Sequence, residues 1–263
     1  MHYTLYGILV FILGLIMGSF SACMGYRIPN KISTYKKRSF CPKCKKQLKW
    51  YMNIPIISYI FLKGKCAYCK EKISLVYPIV ELTSAFLYLL AFETYINTND
   101  INIYAFLVMI TFSTAFLITT VSDFMYYYIS DRVVLISLII IILLKYFFLG
   151  FEVTLNSIIS AALLFALMVF IKYCGDKIFK KESLGGGDIK LMGLIGAAIG
   201  FVPSLICLFV SSIMGLIFSF FAHSDDKSHI IPFGPFLLIS AILCFYFSNY
   251  IEYFLETILR ITL

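Results

Sequence analysis

The fold class this sequence predicts is an all-α, polytopic membrane protein, and three observations predict it. Hydrophobic residues make up 61% of the chain against 14% charged, and the mean hydropathy is +0.91, far from soluble-domain averages. Apolar runs of about 20 residues, long enough to cross a hydrocarbon core, start near Leu5, Leu75, Ile101, Val133, Leu155, Ile189, Leu205 and Phe236. One long polar stretch interrupts this pattern, and it falls between the first two runs. The expectation is about eight transmembrane helices with a small insertion between helices one and two.

The first run invites confusion with a cleaved targeting signal, because Phe20-Ser21-Ala22-Cys23 resembles a lipoprotein cleavage box. A signal peptide needs a basic n-region, however, and Met1, His2 and Tyr3 supply none. Positive charge instead follows the run at Arg27, which keeps residues 1–26 as a first transmembrane helix with its N-terminus outside. Residues 27–74 form the insertion, 75–100 the second transmembrane helix, and 101–263 a core of the remaining six. The other connections are short: 97–100, 150–154 and 200–204 outside, 124–131, 173–187 and 223–231 inside.

Net charge is +8, but the cations sit in blocks beside apolar runs rather than along one soluble face, which argues against a nucleic-acid partner. From Arg27 to Lys72 there are thirteen Lys or Arg and one acidic residue, Glu71. The positive-inside rule makes this insertion cytoplasmic. Alternating across the spans then puts Arg132, Lys172, Lys177, Lys180, Lys181, Lys190 and Lys227 inside, leaving only Lys145 and Arg260 outside. Twenty of the twenty-two basic residues obey one topology.

The insertion is too short and too basic for a core of its own, so it needs a staple. It carries Cys41-Pro42-Lys43-Cys44 and Cys66-Ala67-Tyr68-Cys69, two CxxC knuckles separated by 21 residues. In a reducing cytoplasm the expected staple is Zn rather than disulfides, with four thiolates at the corners of a tetrahedron. A redox or unmetallated reading of the knuckles is the alternative. Cys23, Cys174, Cys207 and Cys244 lie in or beside apolar runs and read as packing residues.

Carboxylates at the edge of a membrane are costly unless paired or functional. Asp123 ends the third span and Asp188 opens the sixth, and the topology brings both to the cytoplasmic leaflet although they are 65 positions apart. Asp188 follows Gly185-Gly186-Gly187, where Gly185 and Gly187 give close approach and freedom of φ at a helix start. Two carboxylates within about 3 Å share one proton and can act as acid and base on a single water. That is aspartic protease chemistry. Each also has a plainer reading, Asp188 as a helix N-cap and Asp123 as a helix-end solubiliser. Asp131 is a third candidate or an N-cap; Lys190 stands two residues past Asp188 and could tune it or simply face the interface. Glu81 lies just inside the second span, where its plainer reading is a satisfied core carboxylate.

Two other classes compete. A non-enzymatic scaffold or transporter explains the cysteines and the spans but not two edge aspartates at one depth. A metalloprotease on His223-Ser224-Asp225-Asp226-Lys227-Ser228-His229 lacks HExxH geometry, and with three His and no nucleophile elbow a Ser-His hydrolase is poorer still.

At these residues the chain resembles the type IV prepilin peptidases, bifunctional leader peptidase and N-methyltransferase enzymes. The resemblance rests on GSFSACMGYRIPN from Gly18, on KRSFCPKC, NIPIISYIFLKGKC and YPIVE between Lys37 and Glu81, and on the segment Asp123 to Asp131. It continues through GGGDIKLMGLIGAAIG from Gly185 and IPFGPFLL from Ile231, and GGGD matches the family's GxGD signature. The resemblance implies that Asp123 and Asp188 are the catalytic pair and that Asp131 stands at the family's fixed interval. Ser130 replaces the usual Pro before it, and Val76 replaces the basic residue usual before Tyr77-Pro78. It also implies a bacterial cytoplasmic membrane enzyme with its catalytic face inside. Such an enzyme cuts the basic leader from prepilin or pseudopilin substrates after a Gly and methylates the new terminal residue with S-adenosylmethionine. No glycine-rich nucleotide loop marks where that methyl donor binds, and the functional reading of Glu81 is a contact for the methyl donor or the substrate amine.

Overall fold

Helix α1 (His2–Arg27) has 26 residues, about 39 Å of helix and enough to cross a bilayer at a tilt. The computed structural model describes residues 2–34, 38–97, 101–221 and 233–247, which divide into two compact units, Met1–Tyr128 and Ile129–Leu263. The first unit holds α1, a 3-10 turn at Trp50–Asn53, the short α2 (Ile57–Phe61), α3 (Val76–Tyr95) and α4 (Ile103–Tyr126).

Backbone proximity holds this unit together. A Cβ added at Gly14 would stand 2.6 Å from Ala85 Cα, and one at Gly18 would stand 2.6 Å from Glu81 Cα. Gly14 and Gly18 are one turn apart on α1 and open a groove into which α3 fits, the small-xxx-small solution to packing where lipid gives no hydrophobic drive between helices. Gly25 does the same for α4, since a Cβ there would come within 2.6 Å of Val121 Cβ. Between α3 and α4, Tyr88 Oη and Thr114 Oγ1 lie 2.8 Å apart. The Thr114 hydroxyl donates to Ile110 O, so Tyr88 is the donor to it.

At the end of α1 the buried Arg27 clasps the start of the insertion. Its guanidinium donates to the carbonyls of Thr34 at 3.2 Å and Arg38 at 3.1 Å, and its Cζ lies 5.8 Å from the Phe40 ring centroid. A buried cation is tolerable here because its donors are satisfied by carbonyl oxygens.

The second unit contains α5 (Asp131–Leu149), α6 (Phe151–Phe179), α7 (Gly186–Ile199), α8 (Phe201–Phe221) and α9 (Gly234–Tyr246). Helix α7 is its centre, buried almost continuously from Asp188 to Ala198. Gly196 permits this, because a Cβ there would meet the backbone of α6 at Ser160 O, 3.1 Å away. Polar pins cross the outer helices: Ser240 Oγ donates to Cys207 O at 2.9 Å between α9 and α8. Lys145 Nζ donates to Ser157 Oγ at 2.6 Å between α5 and α6.

Among the described residues there are no strands, only isolated bridges at Phe40–Gln47 and Lys65–Lys72, and six helices are long and apolar enough to span a membrane. All eight predicted runs contain a helix, but α7 and α9 have 14 and 13 residues, about 21 and 20 Å, short of a hydrocarbon core. Three connections are also shorter than the sequence suggested. Gly150 alone separates α5 from α6 at φ 88°, and Gly200 alone separates α7 from α8 at φ 87°. Only glycine adopts such values without strain, so one residue suffices to reverse the chain's course. Helix α6 also runs on to Phe179, through Gly175, whose missing side chain leaves room for Ser183. The loop His223–His229, Lys227, Ile231, Pro232 and Arg260 lie outside the described residues.

Candidate active site and metal centre

Asp123 stands in the last turn of α4 and is buried, with 6% of its surface exposed. The helix stops three residues later because Tyr127 turns into the left-handed region at φ 51°, its N–H still reaching Asp123 O at 2.8 Å. The close contact of Val121 with Gly25, and the Tyr126 ring 6.4 Å from that of Tyr26, fix this turn against α1.

Asp188 is the third residue of α7 and equally buried, at 7%. The glycines before it are there for space rather than for backbone freedom: Gly185 has φ −66°, and none of the three is among the positive-φ glycines. A Cβ on Gly185 would stand 3.1 Å from Asp188 Oδ2, and one on Gly187 would strike Ile129 Cβ at 2.6 Å. Gly186 faces open space. The triplet is thus two spatial requirements flanking one indifferent position.

Asp131 is the first residue of α5 rather than its cap, which is Ser130. Lys190 Nζ is 2.6 Å from Asp131 Oδ1, so the lysine's partner is Asp131. Both side chains are more than two-fifths exposed, at 42% and 59%, where such a pair contributes about 0.2–1 kcal/mol.

In the insertion, Cys41, Cys44, Cys66 and Cys69 gather with all four sulfurs within 4.8 Å of one another. The two knuckles are copies of one turn. In the first, Cys41 N–H donates to Lys46 O and Lys45 N–H to Cys41 O; in the second, Cys66 N–H donates to Glu71 O and Lys70 N–H to Cys66 O. Lys45 and Lys70 both take the left-handed region, at φ 58° and 60°. Backbone N–H groups, that of Cys69 first, hold the Cys66 thiol down to about 7. The Glu71 amide also favours the Cys69 thiolate, but desolvation and the crowding of Cys66, Cys44 and Cys41 together push that thiol up to about 11. Four sulfurs this close cannot all ionise without a cation among them, which is the chemistry of a metal-binding cluster.

Residues 12–95 match the bacterial peptidase A24 N-terminal domain and residues 109–220 the type IV leader peptidase family. The prepilin leader peptidase/N-methyltransferase of Vibrio cholerae is 35% identical, covering 92% of this chain and 96% of that protein. Proteins of the same name from Neisseria gonorrhoeae and Bacillus subtilis are each 30% identical, covering 89% and 92% of this chain and 88% and 94% of theirs. The chain belongs to the type IV leader peptidase family. It is an integral membrane enzyme of that family. No solved structure matches it.

The family's usual Pro before Asp131 is Ser130 here, and the backbone explains why the exchange is tolerated. Ser130 has φ −80° and ψ 117°, values a proline also adopts. The buried Glu81 of α3 accepts the Ile56 N–H through Oε2 at 2.7 Å. Ile56 itself is strained, a β-branched residue at φ 60°, ψ −51°, a conformation found mostly where the surroundings impose it. Glu81 also lines a cavity of about 440 Å³ between α1, α3 and the insertion. Sequence reasoning singled out Glu81 but neither Ile56 nor Arg27; the α1 groove had a legible signal in Gly14-Leu15-Ile16-Met17-Gly18, whereas a strained isoleucine has none.

Proposed function

We propose that this chain is an aspartic endopeptidase of the bacterial cytoplasmic membrane that removes the leader of type IV prepilin-like proteins at the cytoplasmic face, then N-methylates the new terminus. Its curated relatives carry both activities in their names. The observation that carries the reading is a pair of carboxylates, Asp123 and Asp188, each more than nine-tenths buried at a helix end. Burial of this kind is retained where chemistry needs it. The charge pattern supports the cytoplasmic face, and a prepilin leader is basic and followed by an apolar helix, so its scissile bond lies at the same depth.

In the proposed dyad one carboxyl is protonated and the other ionised, because like charges about 3 Å apart cannot both persist. The ionised member takes a proton from water as the oxygen attacks the scissile carbonyl, while the protonated member donates to the carbonyl oxygen. A proton then passes to the amide nitrogen as the C–N bond breaks, leaving a leader carboxylate and a free pilin amine. Gly185 leaves room for Asp188 to turn, and Asp131 with Lys190 anchors the start of α5 to α7.

Zinc fits the cysteine cluster. Zn–S bonds of about 2.3 Å place tetrahedral sulfurs about 3.8 Å apart, and Cys41 Sγ and Cys69 Sγ are 3.9 Å apart. Cys41, Cys44, Cys66 and Cys69 would hold the ion, whose role there is to fold the insertion. S-adenosylmethionine, when bound, supplies an electrophilic methyl group.

The test is leader removal from a co-expressed prepilin, read as mass and N-terminal residue of the product. Asp123→Asn and Asp188→Asn should each reduce cleavage by about 10²- to 10⁴-fold, the range expected for loss of an acid–base group, with both proteins still folded in the membrane. Wild-type cleavage in either would sink the dyad.

A further inference from the structure

Neither Asp123 nor Asp188 lines the cavity in the first unit, yet that cavity has the features of a built site. Its volume of about 440 Å³ falls within the range of small-molecule pockets. Its walls are mostly apolar and aromatic, including Phe20, Tyr59 and Tyr77, and Glu81 is the only acidic side chain among the described residues lining it. Among the described residues two cations border it, Arg27 and Arg38. Arg27 is committed to the Thr34 and Arg38 carbonyls, whereas Arg38 is exposed.

A carboxylate 7% exposed in such surroundings needs more than one amide to offset its lost hydration. The Ile56 N–H at 2.7 Å is one partner, delivered by a backbone strained to φ 60°, and the hydroxyl of Ser19, also on the cavity wall, is a second. Strain of this kind persists where neighbouring structure enforces it, commonly at functional sites. The carboxylate is therefore held in one position beside an apolar cavity by two neutral donors. A cationic group entering that cavity completes the site.

We infer that this cavity is the methyl-transfer site and that Glu81 binds the α-ammonium of the freshly cleaved pilin and takes its proton. The inference rests on the methyltransferase half of the proposed function. It accounts for the chemistry required: an ammonium has no lone pair and cannot accept a methyl group until a base removes a proton, and Glu81 is the one acid among the described residues lining the cavity. The aromatic walls fit an apolar first residue and a purine, and Arg38 fits the donor's carboxylate. With the donor bound, one S–C bond is exchanged for one N–C bond, leaving a neutral thioether and a secondary ammonium.

The experiment uses the full-length chain in detergent or bilayer, with a prepilin as substrate. Glu81→Gln keeps an acceptor for the Ile56 amide but removes the base. Cleavage should continue within about threefold of wild type while methylation falls by at least about 100-fold. Binding gives a readout independent of turnover. Wild type should hold a peptide with a free N-terminal amine about tenfold or more tighter than its N-acetyl form, and Glu81→Gln should lose that preference while binding S-adenosylhomocysteine as wild type does. Cys23→Phe, on the cavity wall, should weaken both ligands and spare cleavage. Wild-type methylation in Glu81→Gln, or an unchanged amine preference, overturns the inference and leaves the functional reading standing. A wild-type enzyme that cleaves but never methylates overturns both the inference and the methyltransferase half of that reading.

Discussion

Lys190 Nζ and Asp131 Oδ1 lie 2.6 Å apart although 59 positions separate them in sequence. The contact ties Lys190, the fifth residue of α7, to the first residue of α5. It also directs the lysine's charge to Asp131, which the sequence alone left undecided between Asp188 and the interface. A double-mutant cycle on Lys190→Met and Asp131→Asn should yield a coupling of about 0.2–1 kcal/mol in unfolding experiments. Strictly additive effects would show that the pair contributes nothing.

The three glycines before Asp188 should respond differently to alanine. Gly187→Ala meets Ile129 Cβ at 2.6 Å and should destabilise by about 1–3 kcal/mol, as overpacking does. Ile129→Ala in the same chain should restore most of that loss. Gly186→Ala faces open space and should be neutral or stabilising by up to about 1 kcal/mol through helix propensity. Gly185→Ala presses on the Asp188 carboxylate at 3.1 Å, so it should lower cleavage more than stability. Thermal unfolding alongside leader removal separates the three.

Helix α1 should tolerate no side chain at its groove. Gly14→Leu and Gly18→Leu drive carbon into α3 backbone that lies 2.6 Å from even a Cβ, and each should weaken the first unit by several kcal/mol. Gly7→Ala is the control, since its nearest neighbours are side-chain atoms no closer than 3.6 Å, and it should change stability by less than about 1 kcal/mol. Equal effects at Gly7 and Gly18 would contradict the groove.

Removal of the metal should act on the insertion. Purified protein is expected to carry one zinc per chain, measured by elemental analysis, and Cys44→Ser or a strong chelator should strip it. Limited proteolysis should then cut within residues 27–74, while fragments covering α5 to α8 survive. Resistance of the insertion after complete zinc loss would remove the metal from its fold.

Much of this protein was legible from the chain alone, because the features concerned are local. Apolar run length reports a helix in lipid and CxxC spacing reports a thiolate cluster, each without knowledge of any partner. The same locality located Asp123, Asp188 and Glu81 as carboxylates in expensive places. It failed where one residue does the work of a loop, at Gly150 and Gly200, and where helix length depends on what surrounds it, as in α7.

Tertiary structure alone decided which faces of these helices meet. In a soluble protein the apolar face points inward, but here lipid and protein interior are equally apolar, so hydropathy carries no record of orientation. Only the fold shows Gly14 and Gly18 seated on α3, Gly187 against Ile129, Lys190 beside Asp131, and the Ile56 amide on Glu81. These depend on distances of a few ångströms between residues far apart in the chain, and the sequence holds the residue types without the distances.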